Sequence, residues 1–224
     1  MIVVQLVLLL LLVAPTAPAR TAKGAQLVDM VTRMAKIGRA ASPTFSPDGT
    51  RLAFVSDRTG IPQVWVTAVD GSASLQVTKG DDPVGRVIWA PNGEWLALSV
   101  APGGGMNAQI YVVRPDGTGL RRLTDGGKET NNLGDWTHDG RRITIGSNRA
   151  NPSAIDAYLV DPASGARELV SDNKGLQTLE DVSRDGGLAL IARLRGRGDN
   201  DLYHVDREDG GVLRRAPGRL RNCS

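Results

Sequence analysis

The stretch SPTFSPDGTRLAFVSD, Ser42 to Asp57, decides how the rest of the chain is read. It contains a Ser-Pro-Asp-Gly turn followed at once by an apolar segment, LAFVS. Nearly the same phrase returns as WAPNGEWLALSV, as WTHDGRRITIGSN and as VSRDGGLALIAR. The turns fall at Asp48-Gly49, Asn92-Gly93, Asp139-Gly140 and Asp185-Gly186, which are 44, 47 and 46 residues apart. Glycine tolerates the positive φ such a turn needs, and Asp or Asn bonds the local backbone.

Two columns of bulky residues keep the same period. Phe45, Trp89, Trp136 and Val182 precede each turn by three positions. Trp65, Tyr111, Tyr158 and Tyr203 each sit in a short β-rich run: QVWVTAV, QIYVVRP, DAYLVDP and DLYHVDR. The chain holds two Phe, four Trp and three Tyr, and seven of these nine aromatics stand in the two columns. A second turn follows at Asp70-Gly71, Asp116-Gly117, Ser164-Gly165 and Asp209-Gly210, and then a last apolar segment.

Each unit thus reads as four short strands, and a four-stranded antiparallel unit repeated about every 45 residues is the signature of a β-propeller blade. The expected fold is all-β, with about four blades at 42–80, 81–127, 128–174 and 175–215, part of a larger propeller. The aligned aromatics are expected to fill the spaces between neighbouring blades. Before the blades, AQLVDMVTRMAKIG places Leu27, Met30, Val31 and Met34 on one helical face, so 20–41 reads as a short helix and linker. Residues 216–224 read as an irregular basic tail.

Ile2 to Val13 is apolar except for Gln5, and Ala17-Pro18-Ala19 supplies a small-residue cleavage site. Residues 1–19 are therefore read as a secretory signal, since a 12-residue run falls short of the roughly 20 that span a bilayer. The expected location is periplasmic or extracellular, with no membrane association after cleavage. Cys223 is the single cysteine, so no internal disulfide can form.

The net charge of +3 does not indicate nucleic acid. Arg214, Arg215, Arg219 and Arg221 crowd the C-terminal end; without them 23 basic residues face 24 acidic ones, a net of −1. A nucleic-acid protein needs a basic stripe on its folded body. No catalytic, cofactor or metal site is expected. The two histidines, His138 and His204, occupy unrelated repeat positions, and no G-x-S-x-G nucleophile elbow occurs in these 224 residues. Asp199-Asn200-Asp201 opens like a calcium loop, but Tyr203 stands at the next ligand position, and the segment reads instead as a solvated hairpin turn.

The units FSPDGTRLAFVSDRTGIPQVWV and WTHDGRRITIGSNRANPSAIDAYLVDPASGARELV resemble the WD-like repeats shared by TolB-type periplasmic proteins and serine peptidases of the prolyl oligopeptidase family. The leader QLVDMVTRMAKIGRAASPTFSPDG resembles the opening of acylaminoacyl-peptidase-like members, and LEDVSRDGGLALIARLRGRGDNDLYHVD a later blade. The resemblance implies a non-catalytic propeller that limits peptide access to a hydrolase domain. A TolB-like module that binds protein partners is the alternative. Because the last blade departs from the repeat at Ala216, the chain reads as a truncated form of such a protein.

Overall fold

In the computed structural model, residues 38–196, 199–208 and 212–215 are described. The signal segment, the leader helix, the second turn of the last repeat and the basic tail lie outside them. The described residues form four separate four-stranded antiparallel sheets, each with its strands in sequence order, as propeller blades do. Blade 1 comprises β1 (Ala40–Phe45), β2 (Arg51–Ser56), β3 (Gln63–Ala68) and β4 (Ser74–Gln76). Blade 2 comprises β5 (Val84–Trp89), β6 (Leu96–Val100), β7 (Gln109–Val113) and β8 (Arg121–Arg122). Blade 3 comprises β9 (Asn131–Trp136), β10 (Ile143–Ser147), β11 (Asp156–Val160) and β12 (Arg167–Ser171). Blade 4 comprises β13 (Gln177–Val182), β14 (Leu188–Gly196), β15 (Asp199–Asp206) and β16 (Val212–Arg215). The Gly103–Gly105 run belongs to the β6–β7 connection, where Pro102–Gly104 makes one 3₁₀ turn.

Each first strand ends at its bulky residue, and the register then fixes which side chains share a face. Trp89 pairs with Leu96 and Leu98 with Tyr111. Trp136 pairs with Ile143 and Ile145 with Tyr158. Val182 pairs with Ala189 and Ile191 with Tyr203. Directly opposite residues lie on one face of a sheet. These quartets are the large faces of blades 2, 3 and 4, and each packs on the blade before it. Trp89, Leu96 and Leu98 share one core cluster with Ala53, Val55, Val64 and Val66 of blade 1. Trp136, Ile143 and Ile145 lie with Ala97, Ile110 and Val112 of blade 2. Val182, Ile191 and Tyr203 lie with Ala157 and Leu159 of blade 3.

The first strands approach one another and are cross-linked by side chains. Each first strand carries an irregularity in its pairing with the second, for example between Ala41 and Thr44 and between Val84 and Arg86. Such bulges re-aim side chains. In β1, Ser42 takes a positive φ of 53° and its hydroxyl bonds both the carbonyl and the N–H of Val87 on β5, each at 3.1 Å. One repeat later, Arg86 donates to the Leu133 carbonyl on β9 at 2.6 Å.

Phe45 departs from its column. It was expected to fill a space between blades, yet it is 63% exposed, while Trp89, Trp136 and Val182 are 6%, 7% and 3% exposed. Its column faces the preceding blade, and no described residue precedes blade 1 there. The contrast is measurable. Trp136→Ala empties a packed blade interface and should cost about 3–5 kcal/mol, whereas Phe45→Ala should cost well under that. Urea unfolding of the two variants checks it; equal losses would refute the one-way packing.

Candidate functional site

The four repeat turns gather at one end of the sheets. Each is a local hydrogen-bonded unit built on the Asp or Asn. The Asp48 carboxylate accepts from the Ser46 hydroxyl at 2.5 Å, the Thr50 N–H at 3.0 Å and the Thr50 hydroxyl at 2.9 Å. Asp139 accepts from the Thr137 hydroxyl and the Arg141 N–H, Asp185 from the Ser183 hydroxyl and the Gly187 N–H. In blade 2 the Asn92 side-chain oxygen accepts the Glu94 N–H at 3.1 Å. Gly49, Gly93, Gly140 and Gly186 all take positive φ. At Gly140 the backbone also passes so close to the neighbouring turn that a Cβ would lie 2.9 Å from Asn92 Cγ.

A hydroxyl two residues before each turn carboxylate escaped the sequence reading. Ser46 Oγ accepts the Arg51 N–H at 2.9 Å, Thr137 Oγ1 the Arg142 N–H at 3.0 Å and Ser183 Oγ the Leu188 N–H at 2.8 Å. The signal was present as one Ser/Thr column, broken only by Ala90.

Adjacent turns touch. Pro47 packs near Gly93, and the Asn92 amide donates to the Gly140 carbonyl at 3.4 Å. Between blades 3 and 4 this row opens into a cleft of about 270 Å³. His138, Arg142, Glu168, Arg184, Asp185 and Arg207 are among the residues around it. Most of these charges answer one another. His138 Nε2 is 3.4 Å from Asp181, Arg142 is 3.6 Å from Asp161, and Arg207 bonds Glu168 at 2.5 Å. The Ser183 hydroxyl donates to the Asp185 carboxylate at 2.6 Å and accepts the Leu188 N–H at 2.8 Å, so it is engaged within its own turn.

The third-strand aromatics stand one layer further out. Tyr111, Tyr158 and Tyr203 belong to the inter-blade cores, and Trp65 lies under the Arg58 guanidinium, 3.3 Å from its ring centre. Asp199–Asp201 is not a solvated turn. These residues open β15, and Asp201 is 1% exposed, paired with Arg195 and hydrogen-bonded by the Tyr203 hydroxyl. His204 lies half-buried on β15 opposite Leu190. Among the described residues, no cluster of His, Cys, Asp and Glu is placed to hold a metal ion.

The turn carboxylates are acidified by their bonds. The Ser46 hydroxyl and the Thr50 groups hold Asp48 at about 2, against an ordinary 3.8. Asp139 and Asp185 are lowered chiefly by the Thr137 and Ser183 hydroxyls, and Asp70, Asp116 and Asp161 are lowered by their own turns. A carboxyl whose folded value lies below its unfolded value stabilises the fold above the unfolded value. That contribution is lost as pH falls through the folded one. Thermal melts should therefore be insensitive to these groups above about pH 5 and drop between about pH 4 and 2. Asp48→Asn, which copies the Asn92 turn, should shallow that drop; an unchanged acid slope would count against the turn carboxylates.

No protein-family model matches the chain. A tricorn protease homolog of Streptomyces coelicolor is 34% identical over 201 residues, covering 75% of this chain and 17% of the homolog. Dipeptidyl aminopeptidase BIII of Pseudoxanthomonas mexicana is 28% identical over 210 residues, covering 86% of this chain and 30% of the enzyme. The chain thus spans less than a third of the length of either relative. The solved structure of a TolB-type protein from Agrobacterium tumefaciens superposes with a TM-score of 0.62 at 22% identity, over 80% of this chain and 62% of that one. With the four sheets and their shared turn chemistry, these likenesses identify the chain as WD-like propeller blades of the type found in prolyl oligopeptidase-family peptidases and TolB-type proteins.

Proposed function

We propose that the chain is the non-catalytic propeller portion of an exported, prolyl oligopeptidase-like serine peptidase, limiting which peptides reach a hydrolase domain lying outside these 224 residues. One observation carries the reading. The likeness to dipeptidyl aminopeptidase BIII runs through 86% of this chain but occupies only 30% of that enzyme. The blades supply binding surface without an activated nucleophile, since the turn serines and aspartates bond one another. In this reading the charged row of turns and the cleft between blades 3 and 4 act as a selective rim.

A TolB-like role, binding a folded protein partner, is the second reading. It is favoured by the TolB-type structure, 62% of which the chain covers.

The purified chain should not turn over dipeptidyl, prolyl or acyl-aminoacyl chromogenic substrates. Turnover together with labelling by a serine-directed fluorophosphonate would overturn this. Fluorescence anisotropy separates the two readings: weak binding of extended peptides fits the peptidase propeller, and preference for a folded partner fits the TolB type. For export, mass spectrometry of the cell-envelope or culture fraction should find Arg20 as the first residue; an intact Met1 confined to the cytoplasm would refute it.

A further inference from the structure

The interface between blades 3 and 4 lacks a ring that the two earlier interfaces enclose. The bulky residue closing the first strand is Trp89 in blade 2 and Trp136 in blade 3, but Val182 in blade 4. On the preceding blade the residue entering the second strand faces it: Arg51, Trp95 and Arg142, just before Leu52, Leu96 and Ile143. Between blades 1 and 2 the Arg51 guanidinium lies over the Trp89 ring, 4.9 Å from its centre. Between blades 2 and 3 Trp95 packs on the cluster that holds Trp136, whose indole N–H donates to the Ile88 carbonyl at 3.3 Å. Between blades 3 and 4 Arg142 and Val182 line the cleft of about 270 Å³, and no Phe, Trp or Tyr is among its lining residues.

The turns part at the same place. A Cβ at Gly93 would lie 3.8 Å from Pro47, and one at Gly140 2.9 Å from Asn92, each a residue of the blade before. At Gly186 the nearest group is Arg207 of the same blade, at 3.5 Å. Both walls of the cleft are described residues, Thr137, Arg142 and Leu159 on blade 3, Val182, Ser183 and Arg207 on blade 4. Two ion pairs join the walls, His138 to Asp181 at 3.4 Å and Glu168 to Arg207 at 2.5 Å. Leu159 and Val182, both buried, lie at the base, and charged groups form the mouth. The volume falls below the roughly 300–1,000 Å³ of sites that take a whole small molecule, and suits one side chain.

We propose that this cleft binds one aromatic side chain, tryptophan before tyrosine, of a polypeptide segment lying across the turns. Its ring takes the place that the indoles of Trp89 and Trp136 hold in the other two interfaces. Leu159 and Val182 offer it apolar contact, and Arg142 offers a guanidinium to its face as Arg51 does to Trp89. An aliphatic side chain gives that guanidinium no π-face. The inference rests on the reading of the chain as a propeller that screens peptides, and it names what the rim grips.

The probes are a fluorescein-labelled Gly-Ser peptide with one central tryptophan and the same peptide with leucine, titrated with the full chain by fluorescence anisotropy. The tryptophan peptide should bind at least about 3-fold more tightly. Val182→Trp, which rebuilds the missing ring, should keep the fold and weaken that binding at least about 10-fold. Circular dichroism controls for folding; if that variant does not fold, Arg142→Met carries the test. It should remove the preference for tryptophan and leave the leucine peptide unchanged, whereas a merely structural Arg142 would weaken both alike. Equal binding of the two peptides, or a preference that neither variant alters, overturns the aromatic site and leaves the peptide-screening reading standing. Binding of neither peptide overturns both.

Discussion

A small antiparallel sheet has two sides, and a propeller blade must bury both. This chain meets that demand by making the two sides unequal. On β2, Leu52 and Phe54 point one way while Ala53 and Val55 point the other, and the same division runs through β6, with Leu96 and Leu98 against Ala97 and Ser99, and β10, with Ile143 and Ile145 against Thr144 and Gly146. Large side chains on one blade then seat on small ones of the blade before. Trp89 and Leu98 lie on Ala53 and Val64, Trp136 and Ile145 on Ala97 and Ile110. The smallness is enforced. At Gly146, on the small face of blade 3, a Cβ would come 2.7 Å from the Ile155 side chain. Two large faces would hold the sheets apart, and two small ones would leave a void whose lining loses its dispersion partners. The inequality therefore sets both the spacing and the order of the blades.

Polar groups hold the ends of each blade in a way the apolar columns cannot. Gln63 and Gln109, both buried, sit at the start of the third strand. The Gln63 amide bonds the Gly80 and Asp82 carbonyls and accepts the Gly80 N–H; that of Gln109 bonds the Glu129 carbonyl and accepts the Thr124 hydroxyl and the Gly126 N–H. Thr78 and Thr124 in turn accept the next strand N–H, from Val64 and Ile110. A buried amide is costly unless satisfied, so each Gln fixes the loop leading to the next blade. Blades 3 and 4 solve the same problem differently. Asp156 accepts the Asn173 N–H, and Asp201 is met by Arg195 and Tyr203.

These features differ in how visible they were. The turns and aromatic columns recur with nearly constant residue types, because only glycine suits the positive φ and only a bulky side chain fills the space between sheets. The Gln–Thr clasp was hidden because it gives way to Asp in the third and fourth units, and a column of mixed types does not announce itself. Phe45 was misplaced for another reason. Its column says which face it occupies but not whether a neighbour lies there. Asp199–Asp201 reads as a turn from its Asp-Asn-Asp run, which carries no apolar residue to mark it as strand. In blade 4, β14 and β15 run to nine and eight residues and carry that segment into the sheet. The cleft between blades 3 and 4 depends on residues from Thr137 to Arg207, and no local pattern brings those together.

The charged residues bear on function through what they are already bound to. Aspartates at the turns are held ionised by hydroxyls and backbone N–H groups, which makes them poor proton acceptors near neutral pH. Several arginines lie over aromatic rings: Arg51 over Trp89, Arg114 over Trp95, Arg193 over Tyr203. Others bridge blades, as Arg86 does to Leu133 and Arg207 to Glu168. Charge used in this way sustains architecture and leaves little for steering a ligand or for acid–base chemistry. What the described blades offer outward is shape, a row of touching turns and a cleft between blades 3 and 4.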